Sequence, residues 1–82
     1  LDLLARTGLR ADDLLVDLGA GLGQVPMLAA LCSPARALGI EIEPALVRSA
    51  RQAADGLALS RVAFLCQDAG VADLSSGTVF YL

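Results

Sequence analysis

One segment, LLVDLGAGLGQVPMLAAL (Leu14 to Leu31), limits the fold of this chain more than any other. Its first five residues, LLVDL, lack polar alternation and read as a short strand covered on both faces. Glycines follow at every second position: Gly19, Gly21 and Gly23. Glycine reaches positive φ without a steric penalty and carries no Cβ, so the backbone there can turn sharply and lie close to a ligand. The apolar run Val25 to Cys32 then reads as a helix. Pro26 fits only its first turn, where a missing N–H costs nothing. Strand, tight turn and helix start together present free amides and the positive end of a helix dipole. That is how a backbone approaches a nucleotide-like ligand.

The rest of the chain repeats the alternation. LDLLARTG (Leu1 to Gly8) has the spacing of a helix end, and RADD forms a polar turn in which Asp12 and Asp13 shape the approach to the first strand. ARALGIEI (Ala35 to Ile42) is a second strand. Pro44 opens an amphipathic helix, PALVRSARQAADG. Its apolar stripe holds Leu46, Val47, Ala50, Ala53, Ala54 and Leu57, and Gly56 serves as its stop. VAFLC (Val62 to Cys66) and TVFYL (Thr78 to Leu82) are the third and fourth strands, with Tyr81 expected as a packing residue in the last. Strands alternating with amphipathic helices predict an α/β fold with right-handed crossovers. The expected fold is a Rossmann-like doubly wound parallel sheet, present in part, with strands in the order 3-2-1-4.

Composition bears on how much of a domain this is. The chain has 82 residues, 56% of them hydrophobic, and a mean hydropathy of +0.67. A chain so short has too much surface to bury all of that. The surplus predicts apolar faces for further chain or a partner to cover. The first residue is Leu1, and TVFYL reads as an unfinished strand, so residues 1–82 are expected to be a piece truncated at its C-terminus.

The net charge of −3 leaves no electrostatic footprint for nucleic acid in this segment. The two cysteines, Cys32 and Cys66, form no metal-binding spacing and are expected to be buried free thiols in a reducing cytoplasm. No metal site is expected. No signal peptide is visible, and no apolar run reaches the ~18 residues of a membrane span.

Two details discriminate among ligands for the glycine turn. The dinucleotide fingerprint G-x-G-x-x-G, counted from Gly19, needs glycine at position 24, where the chain has Gln24. A phosphate-binding P-loop needs Gly-Lys-Ser/Thr, which is absent. Asp17 lies two residues before the first glycine, where a carboxylate repels a pyrophosphate and suits an ammonium group. VDLGAGLG resembles motif I, (D/E)-x-G-x-G-x-G, of the class I S-adenosylmethionine-dependent methyltransferases. The GQV that follows (Gly23 to Val25) is similar to that of the non-SET histone-lysine methyltransferases.

The resemblance implies that Asp17 faces the cofactor's amino group and that Leu18, Gly19, Ala20 and Gly21 line the cofactor, with Gly23 closing the turn. It also implies that Gln24 reaches the carboxylate. Only the cofactor-binding half of the family's fold is covered, and an isolated segment of this kind is expected to be inactive.

Two further acids fit the same ligand. Glu41, in LGIEIEP, ends the second strand about 20 residues after the turn. A carboxylate there offers two acceptor oxygens to the two hydroxyls of a ribose, and Ile42 would lie against the adenine. NAD has the same ribose, so this position alone does not separate the two ligands. Glu43 complements the dipole of the following helix. Asp68 and Ala69 follow the third strand, and the resemblance implies that they meet the adenine edge, although turns also favour Asp.

Arg48, Arg51 and Arg61 are expected on solvated faces. No residue is assigned as catalytic base, the chain has no histidine, and the methyl acceptor is not legible. The alternatives are an NAD(P)-binding half-domain of an oxidoreductase and a non-catalytic interaction module.

Overall fold

The computed structural model describes residues 8–81. The elements run β1 (Leu14–Leu18), α1 (Gln24–Cys32), β2 (Arg36–Glu41), α2 (Pro44–Gly56), β3 (Val62–Cys66) and β4 (Val79–Tyr81). The strands form one parallel sheet in the order β3-β2-β1-β4. The expected α/β architecture and strand order are therefore those of the structure. The helix expected over Leu1 to Gly8 falls, apart from Gly8, outside the described residues.

The topology fixes where the helices lie. Both crossovers, β1 to β2 and β2 to β3, step in the same direction across the sheet. With right-handed connections they must place both helices on the same face. Leu15, Ala37, Val62 and Val79 stand in register on that face. Ala29, Val25 and Leu28 of α1 pack on this row, together with Leu9. Val47, Ala50 and Ala54 of α2 pack beside it on Phe64 and Val62. Burying a side chain such as Leu15, which is 1% exposed, stabilises the fold by roughly 1.5–3 kcal/mol.

The opposite face is only partly covered. Val16 and Ile40 are buried, and Gly77 near the end of the β3–β4 connection lies against Val16. Leu65 and Phe80 remain 39% and 47% exposed.

Several expectations need correction. The apolar stripe of α2 is narrower than its spacing suggests: Ala53 and Leu57 are exposed. Helix α2 does end at Gly56, as expected, but Gly56 does not take the left-handed conformation of a glycine stop. That conformation falls on Ala58, with φ 54°, while the Ala58 amide donates to the Asp55 carbonyl and the Leu59 amide to the Ala54 carbonyl. This is the bond pattern of a Schellman motif. Cys32 and Cys66 are free but exposed rather than buried. Helix α1 ends on the surface at Cys32, and Cys66 is at the end of an edge strand.

Arg51 and Arg61 are exposed, yet neither is a free surface charge. Arg51 donates from Nε and one Nη to the Phe64 carbonyl at 3.2 and 2.7 Å. Arg61 donates to the carbonyls of Ala30, Ser33 and Ala35 at 2.7–3.0 Å. Asp13 does shape the turn before β1, accepting from the Arg10 amide at 2.8 Å, and Tyr81 packs on the α1 side of the sheet.

Candidate functional site

The glycine turn leaves β1 at the carboxyl edge of the sheet. Gly19, Gly21 and Gly23 have φ of 91°, 57° and 81°, values that residues with a Cβ rarely adopt. The amides of Gly19 and Ala20 both donate to the Ile40 carbonyl, at 2.8 and 3.0 Å. The Gly23 amide donates to the Ala20 carbonyl at 2.8 Å, and Gly23 is the N-cap of α1. No side chain caps that helix, so no side chain occupies the amides of its first turn, where Gln24 is exposed.

Glu41 ties the turn to β2. One carboxylate oxygen accepts from the Gly21 amide at 2.8 Å and the other from the Glu43 amide at 3.0 Å. These bonds hold its carboxyl below the usual value of 4.5. Glu41 therefore stays ionised, and each oxygen keeps a lone pair for a further donor.

Asp17 is the opposite case. It is 4% exposed, and no hydrogen bond to its carboxylate occurs among the described residues. Burial pushes its pKa up from the ordinary 3.8, and the negative charge of Glu41 pushes it further. No fully buried side-chain oxygen among the described residues is left without a partner, so the cost at Asp17 is partial desolvation and repulsion rather than a sealed, unsatisfied charge. A cation between Asp17 and Glu41 would relieve both the desolvation and the repulsion.

A pocket of about 210 Å³ opens beside these acids, lined by Gly19, Ile40, Glu41, Ile42, Gln67, Asp68 and Ala69. It gathers five of the residues singled out in the sequence: Gly19, Glu41, Ile42, Asp68 and Ala69. Asp17, Leu18, Ala20, Gly21, Gly23 and Gln24 do not line the pocket; Asp17 and Leu18 end β1, and the others run from Gly19 through the turn into α1. Asp68 also builds its own turn, accepting from the Gly70 amide at 2.8 Å. Ile42 is 64% exposed, an apolar surface at the pocket rim.

Ile40 and Gln67 were missed. Ile40 reads in sequence as strand core. Gln67 gave one signal, a polar side chain directly after an apolar strand.

The profile of the family described as histone methylation protein DOT1 matches residues 1–78. The chain belongs to this family. Among curated protein sequences no match is found. Among solved structures, the RNA methyltransferase from Salinibacter ruber in complex with S-adenosyl-L-homocysteine superposes with a TM-score of 0.89 at 37% identity, covering 96% of this chain and 53% of that one. This DOT1-family chain thus spans about half the length of that relative.

The [4+2]-cyclase SpnF is similar at a TM-score of 0.77 and 33% identity, covering 87% of this chain and 27% of that one. P. horikoshii TYW2 in complex with MeSAdo, at a TM-score of 0.76 and 21% identity, covers 87% of this chain and 27% of that one and shares the fold. The family match agrees with the similarity of GQV to the non-SET histone-lysine methyltransferases.

Proposed function

We propose that this DOT1-family chain is the S-adenosylmethionine-binding portion of a methyltransferase. The observation that carries the reading is Asp17, a nearly inaccessible acid whose charge is disfavoured by burial and by Glu41, at the foot of a three-glycine turn. It supplies a negative charge that an ammonium-bearing ligand neutralises and a pyrophosphate does not. Glu41 offers its remaining lone pairs to a ribose diol. Ile42, Asp68 and Ala69 receive the base, and the first amides of α1, beside Gln24, receive a carboxylate. The Salinibacter relative, crystallised with S-adenosyl-L-homocysteine, supports the same ligand class.

When bound, the cofactor supplies an electrophilic methyl group on sulfur. The chain's own part is placement: Asp17 would hold the amino acid end of the ligand, Glu41 its ribose in the middle, and Ile42, Asp68 and Ala69 its base, with the turn running alongside. The described residues assign no general base, and the methyl acceptor stays open. The fold alone does not determine the activity, as the likeness to a cyclase illustrates.

The proposal also seats further chain of the same domain on the open sheet face, where Leu65 and Phe80 are exposed. Free thiols at Cys32 and Cys66 suit a reducing compartment, and the proposal places the protein in the cytoplasm. No helix among the described residues is long and apolar enough to cross a membrane.

Calorimetry of the intact protein tests the reading. S-adenosylmethionine and S-adenosylhomocysteine are expected to bind and NAD to give no heat. Binding of NAD alone would overturn it in favour of an oxidoreductase half-domain, and silence with all three would favour an interaction module.

A further inference from the structure

The glycine turn rests on a side chain that the proposed function has not used. Phe64 of β3 is 4% exposed. Its ring lies where two glycines have no side chain. A Cβ on Gly23 would fall 2.6 Å from Cε1 and Cζ of Phe64 and 3.0 Å from Cβ of Ala50. A Cβ on Gly39 would fall 2.6 Å from Cδ1 of Phe64 and 2.8 Å from Cβ of Ala20. Gly23 is the N-cap of α1, where the glycine turn ends, so the ring supports the turn there, while its second glycine neighbour, Gly39, lies on β2 beneath Ala20. Phe64, Gly39 and Asp17 also form one cross-strand row, in which the ring and the Ala20 methyl occupy the space that a side chain at Gly39 would need. Arg51 fixes the ring's own backbone through its two bonds to the Phe64 carbonyl.

We propose that Phe64 is a positioning residue for the cofactor: its ring is the floor that sets the height of the glycine turn above Asp17 and Glu41. The inference rests on the proposed cofactor reading for its functional consequence, but its structural content stands apart from it. Removing the ring is expected to let Gly23 sink and to loosen the bonds that define the turn. Those bonds run from the Gly21 amide to Glu41 and from the Gly23 amide to the Ala20 carbonyl.

The test compares Phe64→Leu with Val47→Ala in the intact protein. Val47 is in the same apolar cluster but is not among the atoms closest to Gly23 or Gly39. Phe64→Leu is expected to bind S-adenosylhomocysteine roughly 10-fold more weakly, and Val47→Ala to bind within about 2-fold of wild type, when both are measured well below their unfolding transitions. Amide hydrogen exchange at Gly21 and Gly23 is expected to speed up in Phe64→Leu and not in Val47→Ala.

Equal affinities and equal exchange in the two variants would reduce Phe64 to ordinary core packing and overturn the proposal. If wild type binds no S-adenosylhomocysteine, the cofactor reading fails, and the exchange comparison still decides whether Phe64 holds the turn. Phe64→Met, which keeps most of the apolar volume, is expected to restore part of both readouts.

Discussion

The two edges of the sheet use polar groups in opposite ways. At the amino edge they satisfy one another. The Thr78 hydroxyl donates to Asp13 at 2.9 Å and accepts from the Leu14 amide at 2.9 Å, joining the starts of β1 and β4. Arg61 gathers three carbonyls from the end of α1 and the approach to β2. At the carboxyl edge the polar groups leave capacity open. Asp17 is buried with no bond among the described residues, and each Glu41 oxygen takes one amide and can take another donor. One edge lowers the energy of the chain alone. The other keeps an electrostatic cost that a ligand removes, which is where parallel sheets place their sites.

The sharpest way to break this comparison is Asp17→Asn. It keeps the shape and removes the disfavoured charge. Affinity for S-adenosylmethionine is expected to fall roughly 10- to 100-fold, the range for losing a charge-assisted bond, while unfolding stability stays level or rises. An unchanged affinity by calorimetry would remove Asp17 from the site.

The pH dependence follows with a definite sign. The native pKa of Asp17 is raised above 3.8, so the native state holds more protons than the unfolded state. Stability from this group is present below 3.8 and is lost as pH rises through the native value. Ammonium binding needs the ionised form and strengthens across the same window, and Asn at position 17 abolishes that limb.

Glu41→Gln sharpens the contrast from within the carboxyl edge, because Glu41 serves both the fold and the ligand. A glutamine presents its NH₂ to one of the two amides, at Gly21 or Glu43, where two donors then face each other. The expected result is a roughly 10-fold loss of S-adenosylhomocysteine affinity together with a lower denaturation midpoint, unlike Asp17→Asn. Since the native carboxyl lies below 4.5, the stability it contributes is present above that pH and lost as pH falls through the native value. A Gln variant with a raised midpoint would show that the bonds to Gly21 and Glu43 do not stabilise the turn.

Much of this was legible in the sequence because it rests on local rules. Gly19, Gly21 and Gly23 announced positive φ, Pro44 announced a helix start, and three acids after apolar strands marked one edge of a parallel sheet. What stayed hidden depends on contacts far apart in the chain. Nothing near Arg61 in sequence says that its guanidinium reaches a helix end some 30 positions earlier, and Arg51 reads as a surface charge until β3 is placed beside α2. Phe64 looks like any strand aromatic until Gly23 and Gly39 are brought over its ring. Ala58 was missed for a local reason: Gly56 is the better residue for a left-handed stop, but the register of the last helical turn puts that conformation two residues later.

Arg61→Ala tests the amino edge, with the reverse pattern expected. Three carbonyls lose a charged donor, and the end of α1 loses its only cationic partner among the described residues. The intact protein is expected to lose about 1–3 kcal/mol in chemical denaturation, after allowance for partial exposure. S-adenosylhomocysteine affinity is expected to stay within about 2-fold of wild type. A selective loss of affinity without loss of stability would mean that the two edges are coupled and the comparison is wrong.

The smallest effect is expected at Ala58, in the connection that brings the chain back to the amino edge. Its φ of 54° places a Cβ close to the following carbonyl, a cost of roughly 1–2 kcal/mol that glycine does not carry. Glycine also widens the unfolded ensemble, which offsets about 0.4–1 kcal/mol of the gain. Ala58→Gly is therefore expected to stabilise the protein by about 0.5–1 kcal/mol with no change in ligand affinity, read from paired denaturation and calorimetry. A destabilised variant would mean that the Ala58 side chain contributes packing that outweighs the backbone strain, and the Schellman stop of α2 would then depend on that contact.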